Sequence, residues 1–338
     1  MTAADRRAGF VQTLAVGLGL CVCLAAGASA NDSVINISTG GIVLEKTPHV
    51  RILEEDLRVS PDRIEVRYVF ENTSNRDQAL TMGFPFPDVF VDDVDHRWAD
   101  RPPLRRFAVF ETTVDGRPID AEEIVEVIGL DGRNLTGLFR KEGLPLFPYA
   151  PAYVDTWTDP EDGDAAALKE KLRGLGLLGN FESRKWKFRV NYVWRHVFKA
   201  GGRTVVRHAY RPISGAFVFT PHAASPGADK SFAQWFRDAF CPSDAAWAEM
   251  LKMTEDLGAP TVRQVGYVLR TAAFWAGPIG EFRLTVDKGR AGNVLATCWP
   301  GPLTPSGPTA FTFSARDFVP DQDLSIAILQ AAPPGERP

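Results

Sequence analysis

The sequence predicts a mainly β protein, an antiparallel β-sandwich architecture built as two sandwiches or one extended sandwich, with short helical insertions. Three observations predict it. Apolar and polar residues alternate with period two over several segments, strands follow strands through short turns, and helical patterns are few. A βαβ fold would instead alternate strands with helices of ten or more residues.

Taken in order, the first element is not part of the fold. Arg6 and Arg7 precede an apolar stretch from about Val11 to Ala26, and Ala28-Ser29-Ala30 follows. That three-part layout predicts a secretory signal peptide over 1–30, with cleavage between Ala30 and Asn31. An uncleaved anchor is one alternative. Lipid attachment at Cys21 or Cys23 is another, which Leu20 and Val22 disfavour because a small residue should precede a modified cysteine. Beyond Ala30 no apolar run nears the length that spans a bilayer, so the mature chain is expected to be soluble and periplasmic, without a transmembrane segment.

An N-terminal β-sandwich region is expected over 31–130. Ile64, Val66, Tyr68 and Phe70 share one strand face, with Arg63, Glu65, Arg67 and Val69 on the other. The polar run Asn72–Asp77 turns the chain into a strand over Ala79–Phe84, which Pro85 and Pro87 stop. Asp115-Gly116 marks a hairpin between Phe107–Val114 and the stretch after Ile119. A partly helical insertion follows over 131–182, with helices at about Leu135–Glu142 and Asp164–Leu172.

A C-terminal β-sandwich region is expected over 183–330. Trp186–Phe198 and Arg203–Arg211 read as a strand pair joined at Ala200-Gly201-Gly202, in a register that sets Trp194 opposite His208 and gathers the aromatics on one face. A third helix begins after Ser243, with Trp247, Met250 and Leu251 on its buried side. Later strands are expected at Val262–Thr271, Phe282–Val286, Val294–Cys298, Ala310–Ser314 and Leu324–Leu329. Trp299–Pro308 is a long connection between strands, and 331–338 a flexible tail.

Several of these stretches, in order along the chain, resemble a family of exported bacterial proteins catalogued as domain of unknown function 4424. They are Asn31-Asp32-Ser33, Gly40-Gly41, Glu55-Asp56-Leu57, Phe84-Pro85-Phe86-Pro87, Gly143-Leu144-Pro145-Leu146, Trp275 with Gly277-Pro278-Ile279, Val286-Asp287-Lys288-Gly289, and Asp317-Phe318 before Asp323-Leu324. The resemblance implies export and a characteristic length. It implies no activity, cofactor or catalytic residue.

Charge and motif content narrow the function further. The net charge of −4 and the scattered basic residues exclude a nucleic-acid face. Of four cysteines, Cys241 and Cys298 lie beyond the signal, and an even pair in an exported chain reads first as one disulfide, the alternative being two buried thiols. No hydrolase signature, Cys-x-x-Cys pair or cofactor fingerprint occurs, so no catalytic residue, metal or cofactor is assigned.

His196 and His208 fall on the aromatic strand face, close enough in the expected register to share a metal if a third ligand arrived; core histidines satisfied by polar neighbours are the better reading. Asp92-Asp93-Val94-Asp95-His96 and the acids Asp159, Glu161, Asp162 and Asp164 lack the spacing of a calcium loop. Trp194 and Trp247 fit core patterns, whereas Trp98, Trp157, Trp275 and Trp299 lie near turns and are the candidates for stacking on a ligand. Two functions remain. The first is a non-catalytic binding or structural module that meets an envelope protein or cell-surface polymer. The alternative is a secreted hydrolase of envelope glycans whose carboxylates the fold would assemble.

Overall fold

The computed structural model describes residues 32–38, 41–90, 108–147, 153, 163–212, 214–221, 231–257 and 260–330. In chain order the strands are β1 (Ser33–Ser38), β2 (Gly41–Glu45), β3 (Val50–Val59), β4 (Ile64–Asn72), β5 (Gln78–Pro85), β6 (Phe110–Val114), β7 (Arg117–Ile119), β8 (Glu122–Gly129), β9 (Trp186–Phe198), β10 (Arg203–Tyr210), β11 (Ser214–Val218), β12 (Thr261–Tyr267), β13 (Ile279–Asp287), β14 (Val294–Thr297), β15 (Thr304–Pro305), β16 (Ala310–Phe318) and β17 (Leu324–Leu329). The α-helices among the described residues are α1 (Thr136–Lys141), α2 (Gly163–Gly174), α3 (Phe232–Phe240) and α4 (Asp244–Leu257). The protein is mainly β, as its period-two patterns require.

Among the described residues the strands form three sheets. Sheet A runs β2-β1-β5-β9-β8, sheet B runs β15-β16-β13-β3-β4-β10-β6-β7, and sheet C runs β11-β12-β17-β14. The pairs are antiparallel except β3 with β13, which are parallel. That one pair joins strands from the first sixty residues to strands beyond residue 279, so the eight-stranded sheet draws on both ends of the fold.

Sheets A and B face each other. Alternate residues of β9, Trp186, Phe188, Val190, Tyr192 and Trp194, are buried on one side, as are Ile64, Val66, Tyr68 and Phe70 of β4. Across the interface Phe84 lies 4.8 Å from His208 and 5.6 Å from Tyr210, and Phe86 lies 4.6 Å from Tyr210, centroid to centroid. Sheet C sends Val265, Tyr267, Leu324, Ile326 and Ile328 into this core. Its opposite face, with Val262, Ala327 and Leu329, packs on Phe236 and Phe240 of α3 and on Trp247 and Met250 of α4. Period two thus divides one strand set between two cores.

The expected pairing of Trp186–Phe198 with Arg203–Arg211 is not made. β9 pairs with β5 and β8, whereas β10 pairs with β4 and β6, so the two strands lie in different sheets. The physical reason is burial. Laid side by side they would leave one continuous aromatic face to cover, whereas facing each other they cover it themselves, with Trp194 and His208 5.3 Å apart across the layers. The chain also crosses between the sheets from β4 to β5, and the two corners brace each other. Buried Asn72 donates through Nδ2 to the Phe198 carbonyl at 3.0 Å, and the Ala200 N–H donates to Asp77 at 3.0 Å.

Asp115-Gly116 does turn a hairpin, β6 to β7, with φ of +49° and +77° at its two central residues, but the return strand is Arg117–Ile119, and the stretch after Ile119 forms β8 beside β9 in sheet A. Helix α3 is an addition to the helices expected from the sequence. Ser231 caps it, accepting from the Gln234 N–H, and Cys241 closes it with φ of +44°. Cys241 is bonded to Cys298, with Cα atoms 4.8 Å apart, which ties the end of α3 to the end of β14.

Candidate functional site

Two polar constellations lie on opposite faces of the same strands. The first is sealed inside. Asp32 immediately precedes β1 and has no exposed surface, and His208 on β10 and Thr112 on β6 are 2% and 4% exposed. The His208 ring holds both: Nε2 lies 3.0 Å from Asp32 Oδ1 and Nδ1 lies 3.0 Å from Thr112 Oγ1. Phe110 stacks on the ring at 5.0 Å. The Trp275 indole N–H donates to the Asp32 carbonyl at 2.5 Å, and the Tyr68 and Tyr267 hydroxyls meet at 2.7 Å nearby.

Burial dominates the electrostatics here. It pushes the Asp32 carboxyl above its ordinary value, against the attraction and hydrogen bond of His208. Burial likewise pushes the Tyr68 and Tyr267 hydroxyls far up, aided by the charge of buried Glu55. Carboxylate, imidazole and hydroxyl in a row suggest a nucleophile relay, yet Thr112 is closed off among aromatic rings. The arrangement pins the start of β1 to the centre of the sandwich.

The second constellation is open. Odd and even residues alternate across a sheet, so the partners of the buried residues on β3, β4, β10 and β6 point outward. They line a groove of about 600 Å³ on the outer face of sheet B. Asp56 and Arg58 come from β3, Glu65 and Arg67 from β4, Arg207 and Ala209 from β10, Glu111 and Thr113 from β6, and Thr285 from β13. The register sets them in rows: Asp56 opposite Arg67, Arg67 opposite Arg207, Arg207 opposite Thr113. Most of the charges are paired. Arg63 donates to Glu65 at 2.8 Å and to Glu111 at 3.2 Å, Arg67 to Glu54 at 2.7 Å, and Arg58 to Asp287 at 2.8 Å. The groove therefore offers polar, directional contacts on a rigid sheet.

Comparison with known proteins supplies the family. A model described as Domain of unknown function (DUF4424) matches residues 30–327. The chain belongs to this family. No curated protein matches it. Among solved structures it is similar to a Legionella pneumophila protein described as a candidate nutrient binding protein, at 14% identity and a TM-score of 0.42, over 89% of this chain and 70% of that one. So distant a likeness transfers nothing about function.

Three stretches that carry the DUF4424 resemblance meet at the buried constellation, namely Asp32, Glu55 and Trp275. Trp275 is 4% exposed, and its ring packs 4.7 Å from Phe70, so both its face and its N–H are committed to the core. Trp299 is half-buried in a cluster with Phe282, Phe313 and Phe318, at 5.3–6.0 Å. Trp98 and Trp157 lie outside the described residues, as do the cleavage site Ala30–Asn31 and the acids of 92–95, 159, 161 and 162.

His196 and His208 do not approach a common ligand. His196 Nε2 lies 3.3 Å from Thr204 Oγ1, and His208 is committed to Asp32 and Thr112. Among the described residues no three His, Cys, Asp or Glu are grouped to hold a metal ion. Sequence reasoning missed the groove. Its signal was the polar half of the alternation, Arg63, Glu65 and Arg67, which reads as a wet strand face until five strands are set side by side.

Proposed function

We propose that this DUF4424 protein is an exported, non-catalytic binding module of the bacterial envelope, whose ligand lies across the outer face of sheet B. The observation that carries the reading is the groove itself: polar side chains from five adjacent strands, held on a sheet whose other face is packed into the core. Export is supported by the signal-like residues 1–30 and by the Cys241–Cys298 bond, which persists in oxidising compartments. Among the described residues no helix is long and apolar enough to cross a membrane.

The test is a thermal-shift panel of sugars, amino acids, dicarboxylates and phosphate esters on the full chain and on Thr113→Trp, which fills the groove from β6. At least one compound should raise the wild-type melting temperature and leave the variant unchanged. A panel without effect, or equal effects on both proteins, would contradict the reading.

One observation favours a second reading, a hydrolase of envelope glycans. Glu65 and Glu111 flank Ala209 in one cross-strand row, their Cα atoms about 10 Å apart, so two carboxylates share one wall of the groove, as glycoside hydrolysis requires. Both carboxylates sit on Arg63, which argues against either serving as the proton donor. New reducing ends on incubation with cell-wall glycan, lost in Glu65→Gln and Glu111→Gln, would establish this reading in place of the first.

A further inference from the structure

The charges in the groove are unevenly satisfied, and the two that stand apart have opposite signs. Glu65, Glu111, Arg58 and Arg67 each hold an ion pair within the chain. Asp56 and Arg207 make no side-chain hydrogen bond or ion pair among the described residues, although both are exposed and line the groove. They lie in one row, Asp56–Arg67–Arg207–Thr113, across four adjacent strands. Adjacent strands are about 4.8 Å apart, so the two Cα atoms are about 10 Å from each other.

The row also carries an electrostatic cost. Arg67 and Arg207 are directly opposite on paired strands, and like charges so placed repel. Glu54 and Asp56, which lies opposite Arg67, offset Arg67, and neither is opposite Arg207. An anionic group set between Arg207 and the Thr113 hydroxyl would accept from both and relieve the repulsion, while Asp56 would accept from a donor at the ligand's other end.

From this we infer that the groove takes a small zwitterion, its carboxylate or phosphate on Arg207 and Thr113 and its amine on Asp56. The inference rests on the groove being the binding site and adds the chemical class of the ligand. An uncharged sugar would leave Asp56 and Arg207 without an ion pair.

Calorimetric titration of the full chain at low ionic strength tests it, with inorganic phosphate, 6-aminohexanoate and glucose as probes. Phosphate and 6-aminohexanoate should bind, and glucose should not. Arg207→Ala should weaken both by about tenfold or more, the size of one charge-assisted hydrogen bond. Asp56→Asn should weaken 6-aminohexanoate and spare phosphate, which separates a zwitterion site from a plain anion site. Arg203→Ala, on the same strand as Arg207 but paired with Glu71 outside the groove, is the control and should change neither.

Absence of phosphate binding to the wild type, or equal affinity in Arg207→Ala, would overturn the inference. So would Asp56→Asn leaving 6-aminohexanoate unchanged. A neutral compound whose binding is blocked by Thr113→Trp but not by Arg207→Ala would overturn the zwitterion alone and leave the groove as the site. A panel with no compound sensitive to Thr113→Trp would remove both.

Discussion

At the residue scale, Asp32 and His208 bond each other inside the core with almost no exposed surface. Asp32→Ala leaves the His208 Nε2 without its acceptor inside the aromatic core, and should cost about 3 kcal/mol in urea unfolding of the full chain. Asp32→Asn keeps an oxygen to accept from the ring and should cost less. The pH dependence has a definite sign. Asp32 is raised above its ordinary 3.8, so its contribution is fully present below that value, where both states are protonated, and is lost as pH rises through the raised value. The unfolding free energy of the wild type relative to Asp32→Asn should therefore fall as pH increases from about 4. A difference that rises with pH would mean that His208, rather than burial, dominates the pair.

At the element scale, the disulfide and the hairpin turn are local devices with separable effects. Cys241 and Cys298 are 57 residues apart in sequence, and bonding them restricts the unfolded chain. Replacing both with Ser should lower stability by about 2–4 kcal/mol while the far-ultraviolet spectrum stays that of a β protein, because α3, α4 and sheet C keep their own apolar core. A loss of β signal on reduction would contradict that. Gly116 occupies φ of +77°, and a methyl group on its Cα would meet no atom within 4 Å, so Gly116→Ala should cost about 1–2 kcal/mol, from backbone strain alone. Thermal unfolding with an unchanged midpoint would show that the hairpin tip is already frayed.

These elements also show what is legible in the sequence. Strand faces are readable because period two states which residues share a side: Trp186, Phe188, Val190, Tyr192, Trp194 and Phe198 are buried, as are Ile64, Val66, Tyr68 and Phe70, although Asn191, Val193 and Val69 on the other sides are buried too. Strand neighbours are not, because alternation is the same whether a face meets its cover in the next strand or in the opposing sheet, and so β9 and β10 read as a side-by-side pair. Helix α3 escapes because Phe232, Trp235, Phe236 and Phe240 have the aromatic content of a strand. Their four-residue spacing, between the Ser231 cap and Cys241, holds the correct reading. The tryptophans near turns look like ligand platforms, yet position next to glycine or proline says nothing of burial, and Trp275 is buried at the inter-sheet core. The groove is legible only as scattered wet-face charges, since cross-strand rows exist only once the register is known.

At the scale of the whole molecule, the two faces of sheet B divide the labour. The inner face carries the aromatic core and the Asp32–His208–Thr112 anchor, which make the sheet rigid, and the outer face presents Asp56, Arg207 and Thr113 at fixed spacing. The most direct test is residue-resolved modification of the full-length protein with an arginine-specific dicarbonyl, read by peptide mass spectrometry with and without a compound that binds in the thermal-shift panel. Arg207 should be modified readily in the free protein and protected by the bound compound, while Arg140 and Arg290, exposed away from the groove, should react equally in both states. Protection confined to arginines off the outer face of sheet B, with Arg207 reacting as before, would contradict a binding site there.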